Sequence, residues 1–166
     1  MTSPTVDIFI PCFVDQLYPA TALNMVKVLE RVGVKVNYNP DQTCCGQPAY
    51  NAGYQSQART VAEKFLEDFA APATNAKRYI VSPSASCVGM VRNSYNALFA
   101  GTMQQAACRA VQGRTYELTE FLVEVLGITA IPGARLTGKY AYHDSCAALR
   151  ECGIGPGPRQ LLDGVA

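Results

Sequence analysis

Short apolar runs alternate with longer helical patterns along this chain, and that alternation constrains its fold more than any other feature. "VDIFIP" (6–11) is a continuous apolar run that stops at a proline, as a buried strand does. Residues 20–32 place Leu23, Val26, Leu29 and Val32 at three-residue spacing, a helix face, and Gly33 is placed to close it. "VKVNY" (34–38) alternates as a second strand, and "NPDQTCCGQP" (39–48) reads as a loop. A helix over 55–70 carries Val61, Phe65, Leu66 and Phe69 on one side. "RYIVS" (78–82) is a third strand, and "PSASCVGMVRNSYNALF" (83–99) opens a helix striped by Val88, Val91, Tyr95 and Leu98. Further helices are expected over 102–111 and 116–126, with short strands over 127–131 and 139–145. Strand and helix in strict alternation predict an α/β fold: an open, doubly wound parallel sheet with helical crossovers.

The cysteines fall where such a sheet places its sites. Cys12 lies just past the first strand, Cys44 and Cys45 lie in the loop after the second, and Cys87 lies in the first turn of the helix after the third. Open α/β sheets bind ligands at the carboxyl ends of their strands, so these four thiols are expected to converge there. Neighbouring side chains on an extended chain point to opposite faces. A bend at Gly46, which tolerates positive φ, lets both adjacent thiols face inward, and Pro48 stiffens the exit. Ser84 or Ser86 can cap the helix, whose dipole favours a thiolate at Cys87. A metal ligand must be that thiolate.

A lone buried cysteine is usually a small hydrophobe, and Cys108 in "QAACRAVQ" reads that way. Met90 reads as core. The set of four at successive strand ends reads instead as a metal or cluster site. His143, the single histidine, reads either as a satisfied residue at a strand end or as the one imidazole able to serve acid–base chemistry.

Composition narrows the classes. With 49% apolar and 16% charged residues in 166, the chain is a folded globular protein of one-domain length. A net charge of +1 with no basic stripe speaks against nucleic acid. No apolar run approaches the roughly 18 residues of a membrane span. The N-terminus lacks the basic region of a secretory signal, so a cytoplasmic, reducing location is expected. There, cysteines serve metals or catalysis more than disulfides, and an odd count of seven does not suit a simple disulfide framework. No GxGxxG fingerprint, Walker sequence or flavin motif is present.

The motifs themselves resemble a known family. Cys12, then 31 residues, Cys44-Cys45-Gly46, then 41 residues and Cys87 is similar to the cysteine-rich CCG domain. That family includes the cysteine-rich component of heterodisulfide reductase, the glycolate oxidase iron–sulfur subunit and the lactate-utilisation A proteins. "IPCFVDQLYP", "QTCCGQPAYNAGY", "SPSASCVGMVR" and "YHDSC" look most like the lactate-utilisation branch. The resemblance covers essentially the whole chain. It implies an iron–sulfur electron-transfer subunit in the oxidation of L-lactate, or of a related 2-hydroxy acid such as glycolate. Such a protein is part of an oxidoreductase complex rather than a complete catalyst, with other iron–sulfur or flavin subunits as partners. Carried over by position, Cys12, Cys44, Cys45 and Cys87 become the cluster ligands. Met90 stands where the family motif often has a fifth cysteine, so a four-cysteine [4Fe–4S] cluster is implied.

The family carries the motif twice. "YAYHDSCAALR" resembles the start of a second copy, with Cys146 as its first ligand, although Ala147 stands where the family usually has histidine. The expected organisation is a first CCG domain over 1–135 and, over 136–166, the start of a second repeat truncated before its own CCG. Cys146 is then a half-site without partners. Residues 147–166 are expected to be poorly packed or held by a neighbouring chain, as in a homodimer.

Two other functions stay open. Four thiolates also suit tetrahedral zinc, which would make the domain a structural or partner-binding module. A thiol–disulfide redox protein using Cys44 and Cys45 would need a strained ring between adjacent residues.

Overall fold

The computed structural model describes residues 4–70 and 78–165. Four parallel strands form one open sheet in the order β2-β1-β3-β4: β1 (Thr5–Ile8), β2 (Lys35–Tyr38), β3 (Arg78–Ser82) and β4 (Thr115–Glu117). Val6 pairs with Val36 on one side and Tyr79 on the other, and Ile80 pairs with Thr115. The two central strands are covered on both faces, which is why they read as unbroken apolar runs. Phe9 and Ile80 enter one core with Phe65, Phe69, Tyr95 and Phe99. Val6, Ile8, Ile10 and Val81 enter the other, with Met25, Leu29, Phe121 and Leu161.

The crossovers supply those two layers. Between β1 and β2 run α1 (Cys12–Leu17) and α2 (Pro19–Arg31), and between β2 and β3 run α3 (Gln47–Asn51) and α4 (Gln55–Asp68). After β3, α5 (Ala85–Gly89), a π-helical turn (Met90–Ser94) and α6 (Tyr95–Phe99) run on as one helix, followed by α7 (Gln105–Gln112). Residues of α2 and α4 enter opposite cores. The chain therefore reverses its winding between β1 and β3, which is where a doubly wound sheet opens a crevice. Among the described residues no helix is long and apolar enough to cross a membrane.

The α/β sheet expected from the sequence is present, with differences in detail. The first strand ends at Ile8, and α1 begins at Cys12 behind Pro11. The helix expected over 116–126 starts two residues later, because residues 115–117 form β4. There Glu117 caps α8 (Leu118–Glu120), accepting from the Thr119 and Glu120 amides, while the Glu120 carboxylate accepts from the Glu117 amide. A π-helical stretch (Phe121–Val125) continues it.

No strand forms over 127–131. Gly127 has φ 67°, Ile128 donates to the Leu122 carbonyl at 2.9 Å and Gly127 to Val123 at 3.1 Å, so these residues close the helix instead. This is a Schellman-type end, one residue wider because the last turn is π. No strand forms over 139–145 either. Tyr140 is 66% exposed and Tyr142 41% exposed, and the segment meets no sheet edge to pair with among the described residues.

Residues 147–165 are packed, contrary to the expectation of a loose tail. A π-helical turn (Ala147–Glu151) lies on α5, and α9 (Gly157–Asp163) lies on the α8 helix. Ala148, Ile154 and Leu161 are buried.

Candidate metal centre

The four strand-end cysteines meet at the carboxyl edge of the sheet. Cys12 Sγ lies 3.4 Å from Cys44 Sγ. Cys44 and Cys45 are within hydrogen-bonding reach of each other, as are Cys45 and Cys87. The thiols form a row, exposed at Cys12 and buried at Cys45 and Cys87. Among the described residues no three metal-binding side chains surround a common point, so the row is not closed into a single-ion cage. All seven cysteines are free thiols.

Local structure aims each one. Gly46 adopts φ 83°, ψ 0°, the left-handed turn that brings both members of the Cys44–Cys45 pair inward, and caps α3, where Pro48 occupies the first turn. A Cβ at 46 would meet the Ala58 carbonyl oxygen at 3.0 Å, so α4 also packs too closely for a larger residue. Cys87 sits in the first turn of α5, as expected, but neither serine caps that helix. The Ser84 and Ser86 hydroxyls turn to the Cys87 thiol. Side chains that would satisfy backbone amides stabilise sulfur instead.

Electrostatics splits the thiols into two kinds. Cys44 is drawn down to about 5 by its bond from Cys45, against burial, with help from the Gly46 and Cys45 amides and Cys12. Cys87 is lowered first by Cys45 and then by Ser84 and Ser86, also against burial. Cys45 is raised by its donation to Cys44 and Cys87 and by burial. Cys12 is raised to about 11 by burial and by donation to Cys44. The two lowered thiols, Cys44 and Cys87, each lie beside a raised one, so donation from the raised partner favours the charged form of the lowered one and keeps four soft donors together. Such a donor set fits a thiolate-ligated metal or cluster.

Two residues that carry no metal chemistry hold the loops. Gln42 accepts from the Ile10 amide at 2.7 Å and donates to the Ile8 and Asn39 carbonyls, tying the Cys12 loop to the Cys44 loop. Tyr95 is fully buried, and its hydroxyl donates to the Cys45 carbonyl at 3.0 Å. The Gln42–Ile10 and Tyr95–Cys45 bonds each span more than 30 residues and leave no local spacing to read. A cavity of about 310 Å³ opens between Cys12, Cys44, Tyr38 and Gln42.

The remaining candidates stand apart. Cys108 and Met90 are core residues, each 1% exposed. His143 is exposed, lining with Glu117 and Thr119 a separate cavity of about 400 Å³ that has no cysteine in its wall. Cys146 is exposed and precedes a π-helical turn rather than following a strand. Cys152 bonds the Ala85 carbonyl at 3.3 Å, two residues from Cys87.

Residues 6–92 match the model of the CCG family, described as a cysteine-rich domain. Lactate utilization protein A of Geobacillus kaustophilus is 38% identical over 161 residues, 96% of this chain and 64% of that protein. Lactate utilization protein A 1 of Bacillus mycoides is 41% identical over 159 residues, 95% of this chain and 62% of that protein. The chain thus spans less than two thirds of the length of these relatives. No solved structure matches it.

Proposed function

Because the chain belongs to the CCG cysteine-rich domain family, we propose that it is an iron–sulfur electron-transfer subunit serving the oxidation of L-lactate or a related 2-hydroxy acid such as glycolate. Cys12, Cys44, Cys45 and Cys87 are the ligands in this reading, and [4Fe–4S] is the cluster that four thiolates suit. The single observation that carries it is the convergence of four thiols from three strand ends. The relatives named for lactate utilization support the substrate class. Bound there, a cluster supplies one-electron transfer. The chain's own residues do the rest. Gly46 and the Cys45 amide place N–H groups on Cys44, Ser84 and Ser86 place hydroxyls on Cys87, and the buried Cys45 end keeps water away. A flavin partner subunit would take the hydride and partner iron–sulfur subunits would pass its electrons on singly, in the reducing cytoplasm where free thiols persist. In organisation, residues 1–135 are the first CCG unit and 136–166 open a second.

Anaerobic purification with iron, sulfide and zinc counted per chain tests the reading. Four irons and four sulfides per chain, in a brown protein, are expected. Stoichiometric zinc in a colourless protein would replace it with a structural zinc module, and neither metal with reversible Cys44–Cys45 oxidation would replace it with a thiol redox protein.

A further inference from the structure

We infer that the buried Tyr95 hydroxyl tunes the Cys44 sulfur through the Cys45–Gly46 peptide, as a positioning residue of the proposed cluster. The carbonyl of that peptide accepts the Tyr95 hydroxyl at 3.0 Å, and the amide of the same peptide donates to Cys44 Sγ at 3.4 Å. A donor on a peptide oxygen polarises the whole group and makes its N–H a stronger donor in turn. The left-handed turn at Gly46 sets the peptide between hydroxyl and sulfur, and the Ala58 carbonyl leaves no room for another residue to do so.

Tyr95 is held for the task. It is fully buried, and its ring meets Phe65 and Phe99 edge-on, with centroids 5.8 and 5.7 Å away. It is the first residue after the π-helical turn, and such turns are frequent at functional sites. A ring needed only for the core would be served equally by phenylalanine. Here the hydroxyl reaches the carbonyl of one proposed ligand and, through it, the sulfur of the next.

This rests on the reading of Cys44 as a ligand, so the test has one arm without metal. In metal-free protein, Tyr95→Phe is expected to move the Gly46 amide proton resonance upfield, with the Gln42-bonded Ile10 amide unmoved. In the iron-loaded protein the same variant is expected to keep its iron count and shift its reduction potential negative, because hydrogen bonds to ligand sulfurs set that potential. Site-specific 3-fluorotyrosine at 95 keeps the hydroxyl and strengthens it as a donor. It should move both readouts the opposite way, and it decides the matter if phenylalanine impairs folding. A Gly46 resonance indifferent to both replacements overturns the relay. So does a potential unchanged in both while the amide responds. Wild-type protein that takes up no iron sinks the ligand reading instead, and the amide shifts alone then decide the relay.

Discussion

Two parts of the chain carry cysteines, and they are built in different ways. Around Cys12, Cys44, Cys45 and Cys87, side chains reach across the fold to fix backbone. Gln42 ties two loops, Tyr95 holds a peptide, and Gly46 is hemmed in by Ala58. Around Cys146, the chain from 132 to 147 is largely exposed, held by local bonds such as Tyr140 to the Thr137 carbonyl and by the exposed Arg159–Asp144 pair. Its firm attachments lie beyond it. Asn93 holds the Glu151 carbonyl at 2.9 Å, and the Glu151 side chain lies against Gly89, where an added Cβ would meet the Glu151 Cβ at 3.0 Å. A site that must bring four soft donors to one place needs its loops over-determined. A segment that only leads to the next packed turn does not.

Replacing a proposed ligand breaks this comparison most directly. Cys45→Ser is expected to reduce bound metal to background, because a neutral hydroxyl removes both charge and softness from the donor set. Cys108→Ser should retain it in full, at a cost of about 1–3 kcal/mol for a hydroxyl in an apolar core. Metal analysis of the two purified variants is sufficient. Equal content would show that the site lies elsewhere.

Two glycines with positive φ separate the regions next. Gly46 and Gly133 have φ 83° and 69°, so alanine at either costs about 1–2 kcal/mol of backbone strain. Only Gly46 also has a carbonyl 3.0 Å from the added Cβ, whereas nothing lies within 4 Å at Gly133. Gly46→Ala should therefore unfold earlier in urea than Gly133→Ala and bind less metal, while Gly133→Ala keeps its metal. Parallel denaturation midpoints and equal metal loading would mean that the turn at 46 relaxes freely.

Much of the better-fixed region is legible in the sequence, and the reason is physical. Strands buried on both faces must be apolar throughout, so 6–11 and 78–82 stand out. Cysteines that follow strands announce a shared edge, and a glycine behind adjacent cysteines announces a bend. The contacts that hold the edge together are another matter. Gln42 bonds the Ile10 amide and the Ile8 carbonyl, and Tyr95 the Cys45 carbonyl, all far off along the chain; the helical stripe that includes Tyr95 predicts its burial but not its hydroxyl's partner. In the other region the pattern misleads. Alternation in "KYAYHDS" describes a strand only where an edge exists to receive it, and the apolar residues of "GITAI" are used to close a helix. Ser84 and Ser86 have the sequence of a cap and serve a thiol.

Thiol reactivity in the metal-free chain sharpens the comparison further. Cys44, lowered to about 5 from an ordinary 9.0, is a thiolate at pH 7, whereas Cys152, raised to about 11 by burial, is not. Iodoacetamide should label Cys44 first, with labelling falling as pH drops through about 5, and reach Cys152 only as pH rises toward about 11. The stability contributions have opposite signs. The depressed Cys44 contributes fully above about pH 9 and loses this as pH falls toward 5, and the raised Cys152 contributes below about pH 9 and loses this as pH rises through 11. Peptide mapping after brief labelling gives the order, and Cys152 labelled first would reverse the assignment.

The smallest effect is expected at Cys146. Its side chain is exposed, and no bond to its sulfur is present among the described residues. Nearby polar groups are already committed: Ser145 Oγ accepts the Ala148 amide at 3.1 Å, and Asp144 pairs with Arg159. Serine at 146 should therefore change stability by less than about 0.5 kcal/mol, as surface substitutions do. Metal per chain should be unchanged, since the four proposed ligands lie at the ends of β1, β2 and β3 and none is in this segment. Measuring metal and urea midpoint on Cys146→Ser beside Cys45→Ser places the two regions on one scale. Metal lost from both variants would mean that Cys146 completes a second site, with its other ligands supplied from outside the segment, as across a dimer, and the contrast between the two regions would then be one of assembly rather than of packing.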